Sequence, residues 1–282
     1  MLETQQVAPP TLSFPAVFEV WPEEGPNRGQ RCRIYHDQVQ VDAWTWLGLC
    51  SDAHPRTLSG IATTLDISIG GSDFLLLAFS QNADLPLPTI LSEALCPVPG
   101  VLKQASDLID SLRIFSLRRF VTQALLQPEA ISGYWSSPAS RRHHRAYPGG
   151  CAEHCLEVAT MAASVSRLPD EDRELGIVLG LLHDYGKIWC YPQDQQGRVV
   201  DPRDHEAYGR NRLQGPLFEL ELSNPVLAAR MRELLGGPRV PRESPYPLAI
   251  GRIIRSFVQM SCEKTGLSRE PTCAHDAPWN VF

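Results

Sequence analysis

Nowhere in the 282 residues does an apolar run reach the roughly 18 positions that span a bilayer, so no membrane helix is expected. The chain also lacks the GxSxG elbow, the GxxxxGK[ST] loop and a GxGxxG fingerprint ahead of a helix. Serine-hydrolase, P-loop and dinucleotide chemistries are therefore not expected. An excess of base is missing too: 26 Lys and Arg stand against 32 Asp and Glu, for a net charge of −6. That balance argues against binding nucleic acid by bulk electrostatics, while leaving room for a local basic groove. The opening MLETQQVAPPTLSFPAV has no basic start and no continuous apolar core, so it does not read as a secretory signal. Eight cysteines without an export signal are read as reduced thiols in a cytoplasmic protein. No internal repeat stands out.

What is present is a folding composition, 43% hydrophobic and 21% charged, at a length that allows two domains, each with its own core. Residues 1–17 are Pro-rich and polar and are expected to form an irregular arm. From 18 to 97 the pattern is short and β-like. "RCRIYHDQVQVDAWTWL" alternates through Val39, Val41 and Ala43 on one face, with Trp44 and Trp46 on the other, and "LSGIATTLDIS" and "DFLLLAFS" supply further strands around the turn "IGGSD". A small barrel or sandwich fits, an OB-like barrel among the options. After the linker-like "LCPVPG" the period becomes helical, with Leu102, Ala105, Leu108, Ile109 and Leu112 on one stripe. Helices are expected across 98–265, broken at "QPEAISGYWSSPAS", "RLPDED", "QDQQGRVVDPRD" and "GGPRVPRESPYP", with a tail over 266–282. The fold class is thus mostly α, a helical bundle preceded by a small β module.

Two stretches carry chemistry. In "HHRAYPGGCAEHCLEVA" His154 lies at the edge of a stripe made by Cys155, Val158, Ala159, Ala162 and Val165. In "RELGIVLGLLHDYGK" a helix apolar nearly all round ends in His183-Asp184, and Gly186 suits a C-terminal cap. Polar residues closing a buried helix need partners, and a divalent cation shared with His154 would satisfy all three. Imidazole with carboxylate suits manganese, iron, nickel or zinc. Taken singly, each of these residues reads as well as a hydrogen-bonded core histidine or a helix cap.

Together, His154 and His183-Asp184 resemble the HD superfamily of metal-dependent phosphohydrolases, whose fold is an α-helical bundle around a metal. The run "PASRRHHRAYPGGCAEHCLEVA" is similar to the opening of the HD domain in TraI-type relaxases of integrative conjugative elements. YhaM-type 3′→5′ exoribonucleases share a close variant behind an OB-fold. The resemblance covers roughly 100–265. It implies His154, His183 and Asp184 as metal ligands, His205 as a looser fourth, and Lys187 as a stabiliser of the phosphate. Asp184 and Lys187 are the residues it places in catalysis. The family's closing aspartate falls on Val258 or Gln259, with Glu263 the nearest acid about one turn on. Leu234, Leu235 and Gly236 stand where two-metal members have His-His-Gly. One metal ion, rather than two, is therefore expected.

The segment Arg141, Arg142, His143, His144 and Arg145 is a candidate phosphate clamp, with a solvated loop as its alternative. Cys151 and Cys155 bracket His154, but no second cysteine pair completes a structural zinc site, so small core residues account for them better. Trp44, Trp46 and Leu47 read as a contact with the helical domain, the alternative being a platform for bases. The resulting expectation is a TraI-like phosphodiesterase acting on single-stranded nucleic acid, alongside conjugation proteins. Its competitors are an HD-fold scaffold that has lost the closing ligand, and a small-nucleotide phosphohydrolase.

Overall fold

A computed structural model describes residues 11–22, 29–37, 39–50, 56–67, 74–82, 85–141, 144–191, 200–236 and 249–266. The chain divides into two units, Met1–Ser92 with Leu126–Pro128, and Glu93–Leu125 with Glu129–Phe282.

The first unit is a closed five-stranded barrel. Its strands are β1 (Thr11–Val20), β2 (Gln30–His36), β3 (Val39–Thr45), β4 (Arg56–Asp66) and β5 (Phe74–Gln81), followed by a short helix α1 (Leu87–Ile90). They run in the order β1-β2-β3-β5-β4, and β1 pairs with β4 to close the ring. Only the β3–β5 pair is parallel. Alternate side chains fill the interior, among them Ala16, Phe18, Val20, Cys32, Ile34, Leu58, Ala62 and Leu76.

Residues 11–17, expected within an irregular arm, instead form the first part of β1. Pro15 is tolerated there because its carbonyl points toward β2 and accepts from His36 Nδ1 at 2.6 Å. Its missing N–H therefore falls beyond the last β1–β2 pair, Val17↔Tyr35. The run expected as one alternating strand is a hairpin turned at Asp37, whose φ of 57° is open to aspartate. Of the three residues on the alternating face, Ala43 is buried, Val41 half-buried and Val39 exposed at the hairpin tip, because β5 covers only Ala43–Thr45. Trp44 and Trp46 are exposed, the latter lying close over Gly29.

The second unit is helical, built from α2 (Val101–Asp110), α3 (Phe115–Leu125), α4 (Gly150–Ala163), α5 (Asp170–Leu182), α6 (His205–Arg212), α7 (Gln214–Ser223), α8 (Pro225–Leu235) and α9 (Ala249–Gly266). Its centre is α5, buried continuously from Glu174 to Leu182. The one charged residue in that run is satisfied: Glu174 accepts from the backbone N–H groups of Arg113 (3.0 Å) and Ile114 (2.8 Å), just ahead of α3. Gly180 lets α5 press on α4, since a Cβ there would lie 2.7 Å from the Ala159 backbone. Buried tyrosines tie further segments to this core, with Tyr134 donating to the Leu181 carbonyl at 2.6 Å.

Gly186 does not act as a left-handed cap. It sits within a 3-10 turn, Tyr185–Trp189, that continues from α5, and its φ is not positive. Its role is close approach: a Cβ would lie 1.9 Å from the His205 carbonyl. Glycine here brings the start of α6 against the end of α5. All but the first residue of the expected break at 236–247, much of the one before it and the tail from 267 lie outside the described residues. Among the described residues the seven cysteines are free thiols, and no helix is long and apolar enough to cross a membrane.

Candidate metal centre

The close packing of α4 on α5 sets the first distance of the site. His154, fully buried on α4, has its Nε2 3.3 Å from Nε2 of His183, the residue that caps α5. Asp184 follows and is equally buried, with Oδ2 3.5 Å from His183 Nε2 and 3.7 Å from His154 Nε2. A tetrahedral ion with bonds of about 2.1 Å spaces its ligands about 3.4 Å apart, so the three donor atoms match one face of such a site. The Gly186 contact delivers a fourth group, His205, with Nε2 3.1 Å from the other oxygen, Oδ1.

Hydrogen bonds on the far side of each ring aim these nitrogens inward. Nδ1–H of His183 donates to the Gly180 carbonyl (2.9 Å), and Nδ1–H of His205 to the Pro202 carbonyl (2.6 Å). His154 Nδ1 lies 3.0 Å from Ser261 Oγ, whose own hydroxyl donates to Glu157 at 2.7 Å. Ser261 and the Arg145 guanidinium, 3.2 Å away, thus occupy the Nδ1 side of the ring, and Nε2 is the nitrogen that faces inward. Outer partners of this kind fix ligand tautomers in metal sites.

The charges are consistent with that arrangement. Burial pushes the pKa of His154 well below its usual value, keeping the ring neutral. Burial opposes the charge on Asp184, yet Lys187, His183 and His205 overcome it and hold the carboxyl well below the usual range. His183 is also opposed by burial, but Asp184 and Cys155 raise it to about 9. A cation must therefore displace a proton from His183 to bind there. The donor set, two aimed imidazoles and an anionic carboxylate with a third imidazole beside it, fits a divalent ion of the zinc, iron, manganese or nickel class.

Lys187 takes a different position from the one expected. Its ammonium lies against Asp184 Oδ2 at 2.6 Å and is largely buried, so it balances the aspartate. Burial works against its charge, but Asp184 wins and raises its pKa.

The arginine-rich segment splits. Arg145 is not a phosphate clamp. Its guanidinium is buried among Glu153 (3.1 Å), Glu157 and Ser261 (2.7 Å) and lies 3.2 Å from His154 Nδ1, so it faces this network and not solvent. Arg141 is exposed and stacks over Tyr191. His144 turns inward, its ring 5.3 Å from that of His154 and its Nε2 3.4 Å from Cys262 Sγ. Arg142 and His143 lie outside the described residues.

On α9 neither Val258 nor Gln259 supplies an acid, and Glu263 does not substitute: it is exposed and accepts from Gln259 at 2.9 Å. The side chains that α9 turns inward are Ser261 and Cys262. Sequence reasoning missed both, together with Glu157. Helical spacing from the buried Ile250 and Ile254 would have placed Ser261 on the same stripe. Cys151 and Cys155 are fully buried beside Asp184, and the Cys151 thiol approaches the Asp184 carbonyl at 3.9 Å.

Residues 151–241 match the family model of the HD domain. No curated protein and no solved structure matches the chain. The family match supports the HD superfamily for this region, and with it a metal-dependent, phosphohydrolase-like chemistry. It takes in His154, His183, Asp184, Lys187 and His205, and ends before Ser261 and Cys262.

Proposed function

We propose that this protein hydrolyses phosphodiesters of single-stranded nucleic acid at the His154–His183–Asp184 centre. The observation that carries the reading is the 3.3–3.7 Å triangle of His154 Nε2, His183 Nε2 and Asp184 Oδ2, with His205 beside it. A divalent ion held there supplies Lewis acidity toward a phosphoryl oxygen and makes water acidic enough to attack at neutral pH. Around it the protein does the positioning. The carbonyls of Gly180 and Pro202 and the oxygen of Ser261 fix three imidazoles, and Lys187 balances the charge of Asp184. Burial of His154 and Asp184 keeps bulk water from screening these interactions.

One structural observation and one sequence resemblance are the grounds for a nucleic-acid substrate. The N-terminal unit is a five-stranded barrel of OB-like strand order with exposed Trp44 and Trp46, a surface on which bases can stack. The run Pro138–Ala159 is similar to TraI-type relaxase HD domains, which is the basis for placing the activity in conjugative DNA transfer. One observation favours the scaffold reading instead: α9 presents no carboxylate to the centre.

The test is hydrolysis of single-stranded DNA, single-stranded RNA and free nucleotides by metal-loaded protein, beside Asp184→Asn. Cleavage of a strand, lost by at least about a hundredfold in the variant, supports the proposal. Turnover of nucleotides alone assigns the same site to a small-molecule phosphohydrolase. No turnover by protein that holds metal assigns it to a scaffold.

A further inference from the structure

Among the described residues four arginines lie over aromatic rings, and three of those stacks are accounted for within the protein. Arg33, over Trp21, is also held by Asp42, and Arg212, over Trp189, is held by Glu129. Arg118 lies over Phe115, three residues before it on α3, which is a neighbour contact along one helix. Arg141 over Tyr191 differs on both counts. The two residues are far apart in the chain, with the guanidinium carbon 5.8 Å from the ring centre. Among the described residues, no acceptor takes a hydrogen bond from Arg141 and no carboxylate pairs with it, and its side chain is exposed. A guanidinium over a ring keeps its N–H donors at its rim, where they match the paired oxygens of a phosphate.

The stack also lies close to the metal centre. Tyr191 follows the 3-10 turn that carries Lys187, and the buried Cys190 before it is bonded through its N–H to the Lys187 carbonyl at 3.0 Å. Arg141 follows Ser140, whose hydroxyl donates to the His144 carbonyl at 2.9 Å, and the His144 ring stands 5.3 Å from that of His154. One member is thus tethered to the Asp184–Lys187 side of the centre and the other to the His154 side. Burial raises the Tyr191 phenol above its usual pKa, and the charges of Lys187, Asp184 and Arg141 act on it as well, so the ring is within electrostatic reach of the centre.

We propose that Arg141, held by Tyr191, is a phosphate subsite beside the centre, taking the phosphate next to the scissile diester of a single strand. Arg141 touches the substrate, and Tyr191 is a positioning residue. A strand offers that second phosphate and a nucleoside monophosphate does not, so the subsite favours the strand. This inference rests on the proposed strand cleavage for what the centre holds, and the experiment separates the two.

Binding of a fluorescein-labelled thymidylate decamer is followed by anisotropy over a range of salt concentrations, with full-length protein as purified and after chelation. Arg141→Ala is expected to weaken binding at least about tenfold. It should also flatten the slope of log affinity against log salt by about 0.7, the share of one phosphate contact on a single strand. Tyr191→Leu should reproduce part of that loss, whereas Tyr191→Phe, which keeps the ring face, should restore it. Arg118→Ala removes an equal charge from α3 and should match the wild type in affinity and slope. An unchanged slope in Arg141→Ala, or an equal loss in Arg118→Ala, overturns the inference. Equal binding by Tyr191→Leu and the wild type overturns it too, because the stack would then have no part. So does a wild type that does not bind the decamer. Binding with the expected pattern but without strand hydrolysis upholds the subsite and overturns the proposed activity. Strand hydrolysis with no effect of Arg141→Ala on binding does the reverse.

Discussion

In the proposed centre His183 would be a cation in the metal-free protein and a neutral ligand in the loaded one, and pH separates the two states. Its pKa rises from 6.5 to about 9 against the cost of burial, chiefly through Asp184. The folded state thus binds the proton more tightly than the unfolded state. The stability this contributes is fully present below about 6.5 and is lost as pH rises through about 9. Apo protein should accordingly lose melting temperature between those values, and His183→Asn should flatten the profile. An equally steep loss in that variant would place the titrating group elsewhere. Arg145 makes a second case at this scale. Its fork holds Glu157, Glu153 and Ser261 behind His154, so Arg145→Lys keeps the charge but cannot reproduce the geometry. Arg145→Ala leaves two partly buried carboxylates without their cation and should cost about 2–3 kcal/mol in denaturant unfolding. A cost below about 0.5 kcal/mol would mean the network is slack.

Elements explain why some of these residues could be read from sequence and others could not. The apolar run of α5 ending in His183-Asp184, and His154 on the stripe of α4, are patterns along a single helix, so periodicity was enough to bring them forward. What Gly186 and Gly180 do was hidden, because a close-approach glycine is defined by the backbone it meets, and that backbone comes from elsewhere in the chain. Arg145 misled for the same reason: a run of arginines looks solvated until its carboxylate partners, a helix turn or two downstream on α4, are folded against it. Ser261 and Cys262 were obscured by reading α9 for an acid at one expected position and not for the face the helix buries. Glu174 was not singled out either, though a charge inside a run like α5 must have partners. Because it closes two backbone N–H groups ahead of α3, Glu174→Ala should destabilise the protein by about 2–4 kcal/mol, and Glu174→Gln by less. Equal effects of the two substitutions in thermal unfolding would show that the side chain merely fills space.

At the scale of the molecule, the hydrophobic period changes near residue 100, while the two units divide between Ser92 and Glu93 and Leu126–Pro128 joins the first. The closure of the barrel was not legible from the period. It depends on which strands pair, above all the parallel β3–β5 contact, and alternation within a strand carries no information about its neighbour. The start of β1 was hidden by its proline, which excludes a central strand in general but not one whose N–H side is open at that point. The centre itself joins α4, the end of α5, the start of α6 and α9. Its ligands were legible as residue types, while their convergence required the fold.

One measurement bears most directly on all of this: the metal content, by elemental analysis, of protein prepared without chelator, with His183→Ala and Asp184→Ala prepared alongside. About one equivalent of a divalent transition metal in the wild type, absent from both variants while their folds persist, is the predicted result. Wild-type protein that stays metal-free after incubation with zinc, manganese, iron or nickel would contradict the account, as would variants that keep a full equivalent.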